Sequence, residues 1–422
     1  MNRQEMFELL EKVLQKVTVP DTTLRLSESR SATVRFGQNR LTQNMDSFQR
    51  KLCMRLGKDL RHIQLTTHCI DTEALAELVA HGESLLNTAP EDPEYVPPVE
   101  GGQEYRSIDD WDEVTAGMLL EARADAAKTA VESAAGRDME AAGVAEASYD
   151  RTAVATSTGN MAFHRKTGAE FRLTMDAGEA SSYRALRSNA WSDLPVGNAV
   201  EEVLEEADLA KDPAEPREGS ADLILEPQAV GDLLYYVIYS LNARLADEGI
   251  TVLEGMDGKR VTGEKLTLSS RLDGPVKGRP FDDEGLPCTD LIWIGHGVLR
   301  NMLCSRYWAK ESGRKPISSP RCFYVEGSEE PYENGLAGLG SGVLVRRFWY
   351  IRLVDEKTLT LTGMTRDGVF EVEGGRIRRP LKDFRWNWNP LELFERISWL
   401  GVPERKGWFQ VPPMVIRDVE LS

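Results

Sequence analysis

Residues 227–249, PQAVGDLLYYVIYSLNARLADEG, decide how the rest of the chain is read. Apolar side chains recur at Val230, Leu233, Leu234, Val237, Ile238, Leu241 and Leu245, the three- and four-residue steps of one helix face. Pro227 suits a first helical turn, where its missing N–H is not needed, and Gly249 can take the left-handed conformation that ends a helix. The pattern predicts a buried helix over 227–248. Immediately before it, ADLILEP predicts a buried strand.

Beyond that helix the text changes to hairpins. GVLVRRFWYIRLV, TLTLTGMT, VFEVE and RIRRPL are separated by turn residues at 355–357, 366–368 and 374–375. FRWNWN then alternates Phe384, Trp386 and Trp388, and Asn389-Pro390 caps a short helix carrying Leu393, Phe394, Ile397 and Leu400. Seven of the nine tryptophans lie beyond position 290, which places the larger core in this half.

Before the helix, an amphipathic start (MNRQEMFELLEKVLQKV) leads into alternating strands over 23–67 and a helix from Asp71 to Leu86. The stretch 91–111, rich in proline, glycine and acid, reads as a connecting arm. Residues 112–145 are alanine-rich and predict helix, strands follow through SSYRALRS, and a helix covers 196–207. Helix, hairpins, helix thus occurs twice. The expected fold is α+β: a duplicated helix–hairpin–helix N-terminal domain (1–215), then a mostly antiparallel, barrel-like β domain (221–422).

With 422 residues and 41% hydrophobic content the chain has the composition of a globular protein of two domains. A net charge of −17 argues against general nucleic-acid binding, which needs a basic footprint. The basic and aromatic segment 376–388 is the best case for such contact, but its alternation points to a buried sheet face. No apolar run is long enough to cross a membrane. Five scattered cysteines without a CxxC pair predict free thiols in a reducing cytoplasm.

The segments FDDEGLP (281–287) and GHGVLRNMLCSRYWAKESG (295–313) resemble the TldD/PmbA family, once called modulators of DNA gyrase and regarded as peptidases. FWYIRLVDEKTLTLTGMTRDGVFEVEGGRI (348–377), FRWNWNPLELFERI and SESRSATVRFGQNRL extend the resemblance over almost the whole chain. In the TldD type the family has a helical HExxxH motif, completed by a cysteine. The chemistry requires two imidazoles on one helix side, a third soft ligand and a carboxylate to activate water. Laid on that pattern, this chain has Tyr235, Tyr236 and Ser240 in place of the motif and Arg366 near the cysteine position. No histidine lies between His164 and His296, so no small shift restores the set.

The resemblance therefore implies the metal-free TldE/PmbA type: a non-catalytic, cytoplasmic subunit with no cofactor of its own. It would form a peptidase with a TldD-type zinc metallopeptidase subunit and act on extended, unstructured peptide. Tyr235, Tyr236, Ser240 and Arg366 would line the cleft or the subunit contact, with Asp282, Asp283, Glu284 and Arg306 as further cleft residues. The alternatives are a stand-alone binding or regulatory homodimer, as for a gyrase modulator, and a hydrolase with a different, metal-free site.

Other chemistry-bearing residues have plainer readings. His296 and Cys304 could form a nucleophile pair, but a turn histidine and a packed thiol account for them. His62 and His68, six apart on a strand, are separated by roughly 20 Å, too far to share one ion. Asp282, Asp283 and Glu284 could be an acid/base cluster, but ordering a turn is the simpler role. The glycine run 335–342 precedes a strand instead of opening a helix, which predicts a mobile loop and not a phosphate cradle.

Overall fold

A computed structural model describes Met1–Leu421. The N-terminal half contains α1 (Arg3–Leu14), β1 (Asp21–Gly37), β2 (Arg40–Lys58), β3 (Arg61–Thr67), α2 (Thr72–Leu86), α3 (Glu113–Ala116), α4 (Leu120–Ala135), β4 (Glu140–Thr156), β5 (Met161–Asp176), β6 (Ser181–Ser188) and α5 (Val196–Leu209). Asn2 and Glu5 close a reciprocal capping box at the start of α1, and the Asp71 carboxylate accepts from Ala74 N–H at the start of α2. All six strands join one antiparallel sheet in the order β3-β2-β1-β4-β5-β6. Period-two alternation puts Leu24, Leu26, Val34 and Phe36 of β1 on one face. Met6, Leu10, Leu75 and Val79 cover one end of that face, and Ala126, Ala130, Val200 and Val203 cover the other.

The alanine-rich stretch corrects one expectation. Helix stops at Ala135, and residues 140–145 are the start of β4. Ala141 and Ala145 are buried against Ala127, Ala130 and Ala134 of α4, so small side chains serve close helix–sheet approach, not helix propensity.

In the C-terminal half, β7 (Gly219–Leu225) leads into α6 (Pro227–Ser240) and α7 (Ala243–Asp247). The helix expected over 227–248 is therefore broken. Leu241 leaves the helical region at ψ 59°, because it and Ala243 exchange backbone hydrogen bonds with Leu303. Asn242 then caps α7.

Next come β8 (Leu268–Ser270), β9 (Leu291–Gly295), β10 (Val298–Leu299), α8 (Arg306–Ser312), β11 (Phe323–Val325), α9 (Tyr332–Leu339), β12 (Gly342–Asp355), β13 (Thr360–Glu373), β14 (Arg376–Pro380), β15 (Arg385–Trp388), α10 (Pro390–Glu395), β16 (Ile397–Leu400), β17 (Glu404–Lys406), β18 (Phe409–Val411) and β19 (Met414–Leu421). They form two open sheets, β10-β9-β8-β11-β18-β17 and β14-β13-β12-β7-β19-β16, with β15 paired to β13. Pairing is antiparallel except at β11–β18 and β12–β7. Neither sheet closes, so the barrel-like expectation gives way to two open layers.

Two smaller corrections follow from packing. The glycine run holds a helix, α9, whose Gly335 lies so close to the Trp399 ring that a Cβ there would sit 2.5 Å from it. The helix after Pro390 ends at Glu395, and Ile397–Leu400 pairs with β19 as a strand. Around α6, the Trp386 and Trp388 rings stack at 4.9 Å with Phe348 edge-on, which confirms the buried face read from FRWNWN.

Candidate functional site

The N-terminal sheet turns its helix-free face toward loops of the C-terminal half, and a cleft runs between them. One end of it is a cavity of about 420 Å³ over α6. Pro227 starts this helix, Val230, Leu233, Leu234 and Val237 bury its inner face, and Tyr235 and Tyr236 meet edge-on at 5.4 Å on the cavity side. The Tyr236 hydroxyl donates to the Ile351 carbonyl at 2.9 Å. Ser240 is buried, and its hydroxyl donates to the Val237 carbonyl at 2.7 Å. Ser240 is therefore turned back into its own helix, away from the cavity. Arg366 does not line the cavity either. It stacks over Trp349 at 5.1 Å, and Trp349 forms part of the cavity wall.

The ionisable group of α6 nearest these tyrosines is Asp232, which sequence reasoning passed over. Its carboxylate accepts from Gln228 Nε2 at 2.8 Å and from Phe348 N–H at 3.0 Å. Burial outweighs both bonds and pushes its pKa up to about 6.

A zinc ion needs thiolate, imidazole or carboxylate donors converging in a tetrahedron. At the family's expected position the donors are phenols and a hydroxyl, two of them spent on internal hydrogen bonds. Among the described residues no three His, Cys, Asp or Glu side chains are grouped to hold a metal ion. The residues present do not fit the group.

The FDDEGLP segment lies at the seam of the two halves. Asp282 accepts from Glu284 and Leu286 N–H, both at 2.9 Å, and from the Ser318 hydroxyl, which fixes the turn. Asp283 reaches Arg25 of β1 at 2.6 Å, and Glu284 reaches Arg55 of β2 and Arg306 of α8 at 3.3 and 3.2 Å. Burial opposes ionisation of Asp283, but the Arg25 guanidinium prevails and holds it below the usual carboxylate range. The Gly285 carbonyl accepts from the Tyr105 hydroxyl at 2.7 Å and from Asn160 Nδ2 at 3.3 Å. Gly285 adopts φ +86°, a conformation that favours glycine. All four acidic or basic candidates of this region are thus engaged in ion pairs or turn bonds between elements.

His296 occupies a turn at φ 49°, and Cys304 is buried, with its pKa raised by that burial. His62 lies 3.4 Å from Asp92, whereas His68 Nδ1 contacts the Arg50 carbonyl at 2.8 Å, so the two do not converge.

The other end of the cleft is a cavity of about 440 Å³ that shares Glu170, Arg187, Gly407 and Trp408 with the first. It contains Asp110 from the connecting arm and His164 from β5, 3.5 Å apart. Neither was singled out in the sequence. A loop aspartate has no periodicity to mark it, and His164 shows only as one polar residue in an alternating strand.

A family profile described as the PmbA/TldA metallopeptidase C-terminal domain matches residues 218–422. Three solved structures share the fold over the whole chain. TldE from Thermococcus kodakarensis is 17% identical, with a TM-score of 0.89 and 99% of each chain covered. A candidate modulator of DNA gyrase from Bacteroides thetaiotaomicron is 19% identical, with a TM-score of 0.90 and full coverage of both chains. A second such candidate, from Thermotoga maritima, is 18% identical, with a TM-score of 0.87 and 99% and 100% of the chains covered. No curated protein matches the sequence.

Proposed function

Since this chain belongs to the TldD/PmbA family, we propose that it is a TldE/PmbA-like subunit that carries no catalytic metal and completes a peptidase with a TldD-type partner. The partner supplies the zinc, and this chain shapes the cleft that receives unstructured peptide. The observation that carries the reading is the donor set of α6: Tyr236 and Ser240 spend their hydroxyls internally, and Tyr235 offers a lone phenol.

Two features support a role in peptide reception. β6 is the last strand of its sheet, and Tyr183, Ala185 and Arg187 on it line the α6 cavity. An extended peptide could add to that edge by backbone hydrogen bonds. Tyr235, Trp349 and Trp408 around the cavity are about half exposed and Tyr350 about two-thirds, and they offer stacking surface to side chains or to a partner subunit. In this reading Tyr235 and Tyr236 face the peptide, and Arg366 braces Trp349. No helix among the described residues is long and apolar enough to cross a membrane, which suits a cytoplasmic peptidase subunit.

The test is cleavage of an unstructured peptide by purified protein, with and without a TldD-type partner and zinc. Turnover only in the mixture is expected, and zinc-dependent turnover by the isolated chain would refute the reading. The other reading, a regulatory homodimer, draws on the two related structures described as candidate gyrase modulators. Light scattering after mixing the two purified proteins separates them: a mixed complex supports the first reading, and an unchanged homodimer of this chain supports the second.

A further inference from the structure

The cleft end away from α6 holds unsettled charge. Asp110 is only 5% exposed, and its Oδ1 has no hydrogen-bond partner. Its Oδ2 lies 3.5 Å from His164 Nε2, and that nitrogen makes no hydrogen bond of its own. Facing Asp110 is Arg405. One of its terminal nitrogens donates to Asn189 Oδ1 at 3.0 Å, while its buried Nε has no acceptor. Arg321 lines the same cavity; among the described residues its guanidinium has no ion pair or hydrogen bond, and the charges that feel it are Asp283 and Arg279.

A buried polar atom without a partner is destabilising, so several in one place need a reason. Here an acceptor and a donor of opposite charge belong to residues that line one cavity. Burial works against the charge on Arg405, and the nearby Asp110 carboxylate offsets part of that effect. They do not bond to each other. A ligand that carries a cationic donor at one end and an anionic acceptor at the other would settle both.

We propose that this cavity binds a short zwitterionic peptide, its α-ammonium group on Asp110 and its α-carboxylate on Arg405 and Arg321. At about 440 Å³ the cavity is in the range of small-molecule sites. The Asp110 carboxylate accepts from the ammonium, and the arginine forks suit a planar carboxylate. Trp408, half exposed at the junction with the α6 cavity, gives the side chains an apolar wall. The site goes beyond the subunit reading and stands whether or not a metallopeptidase partner is found.

Calorimetric titration of the full chain, without partner or zinc, tests this. The probes are L-alanyl-L-alanine, its N-acetyl derivative and its C-terminal amide. Saturable binding of the free dipeptide is expected, weakened at least about tenfold by blocking either end. Asp110→Asn should abolish the discrimination against the N-acetyl form, and Arg405→Gln that against the amide. Arg321→Gln, at an exposed position, should weaken the free dipeptide, and it serves should the buried variants fail to fold. No saturable binding up to about 10 mM, or equal binding of free and blocked dipeptides by the unmodified protein, would mean that the cavity holds only water and would overturn the proposal.

Discussion

The two ends of the cleft have nearly equal volume and share a wall, yet their polar groups are settled in opposite ways. Over α6, the Tyr236 and Ser240 hydroxyls and the Asp232 carboxylate all have partners within the protein. Around Asp110, the acceptor of the aspartate, the imidazole nitrogen of His164 and the Nε of Arg405 have none. The α6 end has been closed internally, whereas the Asp110 end, which carries no recognisable motif, retains unused bonding capacity. Ligand chemistry is therefore better located by what remains unpaired than by which residue types are present.

The contrast can be broken most severely from beneath. Trp386 is fully buried against Phe348 and Trp388, and Phe348 supplies the N–H that holds Asp232. Trp386→Ala should lower stability by about 3–5 kcal/mol through the cavity it leaves, seen as a reduced urea midpoint. It should also loosen the α6 end more than the Asp110 end, which hydrogen exchange at Phe348 would report. Arg346 joins Glu206 of α5 to Glu226 ahead of α6, at 2.8 Å to each. Arg346→Ala would leave the part-buried Glu226 with only the Tyr332 hydroxyl, although Arg184 still compensates Glu206. A loss of about 3 kcal/mol is expected, at the lower end for a broken buried pair.

A smaller effect sharpens the α6 side. With a folded pKa of about 6 against an ordinary value of 3.8, Asp232 binds its proton more tightly in the folded chain. Stability should therefore fall as pH rises from about 4 to about 6 and then level off. Asp232→Asn removes that dependence, so the variant should gain about 1–2 kcal/mol on the parent across this window, measured by thermal melts at several pH values. Burial also raises Asp383 to about 6, but this group is common to both proteins and cancels from the difference. The smallest effect belongs to the seam: Arg55→Gln removes one half-buried partner of Glu284, which keeps Arg306, and should cost about 0.5 kcal/mol, less at high salt.

Periodicity made some features legible. Pro227 and the apolar face of α6, the Asp71 cap and the alternation of Phe384, Trp386 and Trp388 are local signals, and the structure carries them through. What was not legible depends on distant partners. The break at Leu241 is made by Leu303, the strand start at 140–145 by alanines of α4, and the helix in the glycine run by the Trp399 ring against Gly335. The same holds for the site. That Tyr235 and Tyr236 reach a common cavity follows from their adjacency on the helix, but Ser240 turns inward and Arg366 stays outside the wall. Asp110 acquires meaning only when Arg405, almost three hundred residues on, is placed opposite it.

The grip on the Gly285 carbonyl bears on how substitutions in that loop would be interpreted. Tyr105 and Asn160 seize one backbone oxygen of a glycine whose torsion other residues resist, while its acidic neighbours clasp arginines of β1 and β2. Replacing these residues would loosen the seam between the two halves and so alter the cleft from a distance. A survey scored only by function would mark the loop as reactive machinery, when its office is that of a rivet between the two halves.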